Sequence, residues 1–178
     1  VFLAVLGCDH VENASVTSPN GDLKLGFFLK QGRPGYSLSM DGEEIILPSL
    51  MGFEFKNMPS MKEGFKIVKV RRDSVNTTWK QPWGQFKNVK NYYNELVVKL
   101  QEKKADERLL NIIFRLFDDG LGFRYQFPEQ PNVDSLVIKN ELTQFTFSEE
   151  QQVWWIPVHS ENSYYESLYR FTQMGETD

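Results

Sequence analysis

The stretch Leu109–Phe127, LLNIIFRLFDDGLGFRYQF, constrains the fold more than any other part of the chain. Leu110, Ile112, Phe114 and Leu116 fall on every second position, as do Leu121, Phe123, Tyr125 and Phe127 after Asp119-Gly120. A period of two gathers one set of side chains on one face of a strand. Asp-Gly accepts the positive φ of a two-residue hairpin turn, so the stretch predicts two antiparallel strands joined at Asp119-Gly120. In that register Asp118 faces Leu121, Leu116 faces Phe123 and Phe114 faces Tyr125. On the opposite face Arg115 meets Arg124. Like charges placed side by side repel, so carboxylates from a neighbouring strand or domain are expected between them.

The same alternation recurs along the chain. Leu23, Leu25, Phe27 and Leu29 follow a Ser18-Pro19-Asn20-Gly21 turn, and Tyr36, Leu38 and Met40 follow a turn over Gln31–Gly35. Asp41-Gly42 is a second hairpin signal, leading into Glu44–Leu47 before Pro48. Met51–Phe55, Phe65–Arg72, Glu95–Leu100 and Val153–Pro157 read as further strands, with two short ones in Val133–Phe147. Lys56–Gly64 reads as a polar loop and Trp79–Tyr93 as an aromatic one. No window of ten or more residues carries a helical stripe. The fold expected is all-β and sandwich-like, in one domain at 178 residues. The formal net charge is −4 with both signs interleaved, which argues against nucleic acid as a partner.

The N-terminus, VFLAVLGC, lacks Met and is an apolar run too short to span a bilayer. Val5-Leu6-Gly7-Cys8 resembles the bacterial lipobox, in which cleavage precedes a cysteine that then receives a lipid. Cys8 is the single cysteine, and the sequence turns polar after it. On this reading residues 1–17 are a signal remnant and tether, and the protein is a periplasmic or outer-membrane-anchored lipoprotein of a Gram-negative bacterium.

Candidates for chemistry are sparse. Only His10 and His159 could serve as an imidazole base, and His10 falls in the tether. No Gly-x-Ser-x-Gly, Walker loop, HExxH or paired CxxC occurs. A mutarotase-type activity would need a paired acid and base that the interior lacks. Trp79, Trp83 and Tyr93, with amides nearby, suit stacking on sugar rings, and equally suit packing at a sandwich edge. Glu161 and Glu166 are oxygen ligands of the kind calcium takes, but calcium needs about six to eight oxygens. By themselves they read as solvated loop charges.

Four motifs then combine in order: Trp79…Pro82-Trp83-Gly84, Asn91-Tyr92-Tyr93-Asn94-Glu95-Leu96, Phe114–Pro128, and Trp155-Ile156-Pro157. Together they resemble the N-terminal domain of glycoside hydrolase family 97, over 18–178. The resemblance implies an antiparallel β-super-sandwich of the galactose-mutarotase-like kind, incomplete at its C-terminus. It implies a parent enzyme that is a calcium-dependent, exo-acting α-glucosidase or α-galactosidase acting on oligosaccharides. The catalytic acid and the base or nucleophile would lie in a (β/α)8 barrel absent from this sequence, leaving the fragment inactive alone. It also implies that Glu166, in Tyr165-Glu166-Ser167-Leu168-Tyr169-Arg170, reaches the active-site calcium; family members often carry an aromatic where Ser167 stands. The alternative is a non-catalytic carbohydrate-binding or scaffold module working through Trp79, Trp83 and Tyr93.

Overall fold

The computed structural model describes residues 12–103, 107–131, 133–157 and 167–177. They form thirteen strands: β1 Glu12–Thr17, β2 Leu23–Lys30, β3 Arg33–Met40, β4 Glu43–Leu50, β5 Phe53–Phe55, β6 Phe65–Lys80, β7 Asn88–Glu102, β8 Leu109–Phe117, β9 Gly120–Gln126, β10 Ile138–Glu141, β11 Thr146–Phe147, β12 Gln152–Trp155 and β13 Arg170–Gln173. A single 3-10 turn, Met174–Glu176, follows. The chain divides into two compact units, 1–146 and 147–178.

The first unit is a sandwich. One sheet has the order β1-β2-β3-β4-β11 and the other β6-β7-β8-β9; β1 to β4 and β6 to β9 each pair antiparallel with their neighbours. Leu25, Phe27, Tyr36 and Leu38 project from the first sheet, and Leu96, Val98, Leu100, Leu110, Ile112, Phe114 and Leu116 from the second; all are buried. The sheets meet ring to ring, with Phe27 6.2 Å and Tyr36 6.1 Å from Phe114 and Tyr36 5.8 Å from Phe123. The two-stranded sheet of β5 and β10 adds Phe53, which lies edge-on to Tyr125 at 4.6 Å and to Phe127 at 5.3 Å.

Two hairpins use the turn chemistry expected of them. Asp41-Gly42 and Gln31-Gly32 both take positive φ (52° and 87°, 53° and 76°) and join their strands as two-residue turns. The second of these turns is shorter than expected: Arg33, Pro34 and Gly35 already belong to β3. Gly35 is required because a Cβ there would lie 2.4 Å from the Phe28 ring. Strand β4 continues through Pro48 because the β3–β4 register is irregular between Tyr36↔Ser49 and Leu38↔Ile46. Proline, which has no N–H to donate, is tolerated at such an irregularity.

The β8–β9 hairpin forms, but its register differs from the expected one. Asp118-Asp119 makes the turn, so Phe117 faces Gly120, Phe114 faces Phe123 and Arg115 faces Gly122 rather than Arg124. Moving the turn back by one residue changes each partner by two, which leaves every side chain on its expected face. Two contacts favour this register. The Asp118 carboxylate accepts the Asn20 backbone N–H at 2.9 Å, and the Phe114 and Phe123 rings lie 6.0 Å apart.

Two boundaries also move. Residues 12–17, assigned above to the tether, form β1 because Ala14 and Val16 bury against the sandwich. The aromatic loop shrinks to residues 81–87: β6 and β7 pair as far as Trp79↔Val89 and Lys80↔Asn88. Strand β13 was not expected at all; it pairs with β12 in the second unit through Trp154↔Phe171 and Trp155↔Arg170.

Candidate functional site

The expected site residues fall in three places. Trp79 and Trp83 lie at the far end of the β6–β7 hairpin, where they are 51% and 85% exposed, together with Phe86 at 68%. The connecting loop is tied internally, since Gln81 Nε2 donates to the Phe86 carbonyl at 2.6 Å and Gln81 N–H to the Lys87 carbonyl at 3.2 Å. Gly84 supplies a φ of 125° there. Phe86 carries no strand alternation and sits among Gly, Gln and Lys. That context, a large apolar residue in a polar loop, was the signal that could have singled it out.

Tyr93 belongs elsewhere. It is 5% exposed, its ring is 5.2 Å from Phe117, and the Arg115 guanidinium stacks on it at 4.6 Å. These contacts make it a packing residue at the base of the hairpin, separate from the two tryptophans. Beside it lies the carboxylate anticipated near Arg115. Glu95 of β7 accepts from Arg115 Nε at 2.9 Å and from Arg71 NH2 of β6 at 2.9 Å. Arg71 also reaches Asp73 at 2.9 Å. An open groove of about 270 Å³ borders this network, lined by Ile113, Arg115, Phe117, Gly122, Phe123 and Arg124.

Glu166, Glu161, His159, His10 and Cys8 lie outside the described residues. What the structure does show is how the chain on either side of Glu166 is held. The strand pair β12–β13 brackets 156–169, and Glu166 stands four residues before Arg170. The pair is reinforced by Trp155 Nε1 donating to Thr172 Oγ1 at 3.1 Å, by Arg170 stacked 5.3 Å over the Trp155 ring, and by Trp154 against Phe171 at 4.8 Å. Among the described residues, no group of three or more His, Cys, Asp or Glu side chains is placed to hold a metal ion.

The titratable groups with displaced pKa values serve the fold. Burial pushes the Tyr36 phenol up to about 12, and its hydroxyl donates to the Gln144 carbonyl at 3.0 Å. Burial likewise raises Tyr125, whose hydroxyl bonds Thr143. Thr143 spends its one proton on Glu141, so Tyr125 is the donor to Thr143. The part-exposed Glu54 carboxylate is held below its usual range, first by the hydrogen bond from Asn140 and then by Lys62.

Comparison with known proteins gives a consistent picture. Residues 16–178 match the family described as glycosyl-hydrolase 97 N-terminal. The chain is 24% identical over 123 residues to a retaining alpha-galactosidase of Bacteroides thetaiotaomicron, covering 69% of this chain and 18% of that protein. Among solved structures it is similar to a glycoside hydrolase family 97 enzyme of Pseudoalteromonas sp. strain K8. In that enzyme's complex with panose the match is 36% identical with a TM-score of 0.85, over 92% of this chain and 25% of that one. In its acarbose complex the values are 37% and 0.83, over 89% and 24%. A beta-arabinopyranosidase matches at 29% and 0.71, over 80% and 22%. The chain thus spans a quarter or less of the length of these relatives.

Proposed function

From the premise that this chain belongs to the glycosyl-hydrolase 97 N-terminal family, we propose that it is the non-catalytic sandwich of an exo-acting α-glycosidase. It packs on a catalytic (β/α)8 barrel of the same polypeptide and lends that barrel Glu166 as one ligand of a calcium ion. The observation that carries the reading is the extent of the match: it covers nearly the whole chain, while the chain covers only about a quarter of the solved enzyme. The more similar relative was solved with panose and acarbose, which favours α-glucosidic oligosaccharides over α-galactosidic ones as substrates. An alpha-galactosidase and a beta-arabinopyranosidase match the same sandwich, so sugar choice rests with the barrel. Membrane attachment through a lipid on Cys8, with the enzyme facing the periplasm, completes the proposal.

Glu166 supplies a hard carboxylate oxygen of the kind calcium prefers, and the β12–β13 ladder stands at the two ends of the segment in which it falls. Because calcium takes about six to eight oxygens, the remaining ligands come from the barrel, the substrate and water. Calcium bound there would orient sugar hydroxyls and stabilise charge that develops at the transition state.

The test is hydrolysis of panose and aryl α-glucosides by the complete gene product, titrated with calcium after chelation. Glu166→Gln is expected to shift the titration to higher calcium while the far-ultraviolet spectrum and melting profile stay unchanged. An identical calcium titration for wild type and variant would remove Glu166 from the site.

A further inference from the structure

The hairpin of β6 and β7 is longer than the sheet that supports it. Strand β8 pairs with β7 only from Gln101 to Asn94. Beyond that point Val75–Lys80 and Asn88–Tyr93 pair with each other and, among the described residues, with no third strand, giving a two-stranded ribbon of six residue pairs whose innermost ring, Tyr93, still packs on Phe117. At about 3.3 Å per residue the ribbon extends roughly 20 Å past the sheet. A lone two-stranded ribbon is marginal in water. This one nevertheless ends in three large exposed rings, Trp79, Trp83 and Phe86, above a loop tied by Gln81.

Its charge is as unusual as its shape. Between Asp73 and Glu95 the sequence holds Lys80, Lys87 and Lys90 and no acidic residue, in a chain whose net charge is −4. Lys90 lies 4.7 Å over the Tyr92 ring, which keeps one of these charges on the ribbon itself. Rings flanked by cations of one sign fit a surface that offers apolar pockets bordered by carboxylates. A neutral oligosaccharide would use the rings and the amides and could accept from a lysine, but it carries no charge to complement three of them.

We propose that this ribbon is a docking arm whose partner is an acidic, pocketed face of the catalytic domain in the same polypeptide. The inference rests on the family reading above for the existence of that domain. It adds the place of contact and the chemistry of the partner surface. Trp83 is the anchor, Trp79 and Phe86 flank it, and the lysines set the orientation. Burying the rings there supplies the support that the ribbon lacks in the sandwich alone.

The experiment compares chymotryptic cleavage after Trp83 and Phe86 in the 178-residue chain and in the complete gene product. Docking predicts that the arm is cut about ten times more slowly in the complete product, because cleavage requires the arm to open. That protection should fall as salt rises from low to high ionic strength. Trp83→Ala and the triple reversal Lys80→Glu, Lys87→Glu, Lys90→Glu should abolish the protection while leaving the melting temperature of the 178-residue chain unchanged. Equal cleavage rates in the wild-type chain and complete product would overturn the proposal. So would protection conferred on the 178-residue chain by panose, by anionic vesicles or by its own dimerisation. A gene product ending at Asp178 is a different failure, legible before any cleavage, and would remove the family-based function itself.

Discussion

Replacing Arg108 by alanine should cost this sandwich more than any single exposed substitution. Arg108 is 5% exposed and its partner Glu102 1%. The guanidinium grips both carboxylate oxygens, Nε to Oε2 at 2.5 Å and NH2 to Oε1 at 2.9 Å. It also donates to the carbonyls of Pro59 at 2.8 Å and Ser60 at 3.2 Å, which fastens the 56–64 loop to the β7–β8 turn. That loop delivers Met61, fully buried, whose backbone exchanges hydrogen bonds with Phe53. Alanine leaves the Glu102 charge buried without its partner, a loss of about 3–5 kcal/mol, set against a total stability of roughly 5–15 kcal/mol. For a domain of this size each kcal/mol moves the melting temperature by about 2–4 °C, so the expected drop is roughly 6–20 °C. The reference is the part-exposed pair Lys62–Glu54, where Lys62→Ala should cost less than about 1 kcal/mol. Calorimetry and urea unfolding of both variants check the contrast. The double variant Glu102→Leu/Arg108→Leu removes both charges and should recover most of the loss. If Arg108→Ala and Lys62→Ala prove equally mild, the account of the buried pair is wrong.

Gly35→Ala should destabilise by about 1–3 kcal/mol in urea titration, because the new Cβ would meet the Phe28 ring at 2.4 Å and the Ser49 carbonyl at 2.8 Å. The two raised tyrosines make the fold sensitive to alkali. The neutral phenol is the form that the folded state favours, so the Tyr36 contribution is intact below about pH 10, the unfolded value, and is lost as pH rises towards 12. Absorbance titration near 295 nm should show two of the seven tyrosines, Tyr36 and Tyr125, ionising only together with unfolding; early titration of all seven would contradict their burial.

The core was legible because its signal is local. Leu110, Ile112, Phe114 and Leu116 announce themselves by alternation, and all four are fully buried. Asp41-Gly42 is legible because a positive φ at both positions restricts the residue types that fit. Asp119-Gly120 misled because what fixes that turn is tertiary: the Asn20 N–H on Asp118, nearly a hundred residues away in sequence. The length of β6 was hidden for the opposite reason. Its outer half is exposed on both faces, so no apolar alternation marks it as strand. Tyr93 and Trp79 look alike in sequence, and only the cross-strand neighbours Phe117 and Arg115 separate the packed ring from the exposed one. The carboxylate beside Arg115 was legible as a need for charge compensation, while its identity as Glu95 required the register of β7 against β8.

The disposition of carboxylates also bears on what this chain does alone. A glycosidase needs two carboxyl groups across an open cleft, one to protonate the leaving oxygen and one to act on the opposite face. Among the described residues the buried carboxylates are Glu95 and Glu102. Glu102 accepts from Arg108 with both oxygens, and Glu95 accepts from Arg71 with one and Arg115 with the other. Neither presents a free oxygen to a substrate, and both are already explained by the fold. The expected outcome is that the 178-residue chain releases no glucose from panose and no nitrophenol from aryl α-glucosides, with or without calcium, while the complete gene product does both. Turnover by the 178-residue chain that survives Glu95→Gln and Glu102→Gln would place the acid–base chemistry on other carboxylates among the chain's 24 Asp and Glu residues, and would overturn the reading that it is non-catalytic.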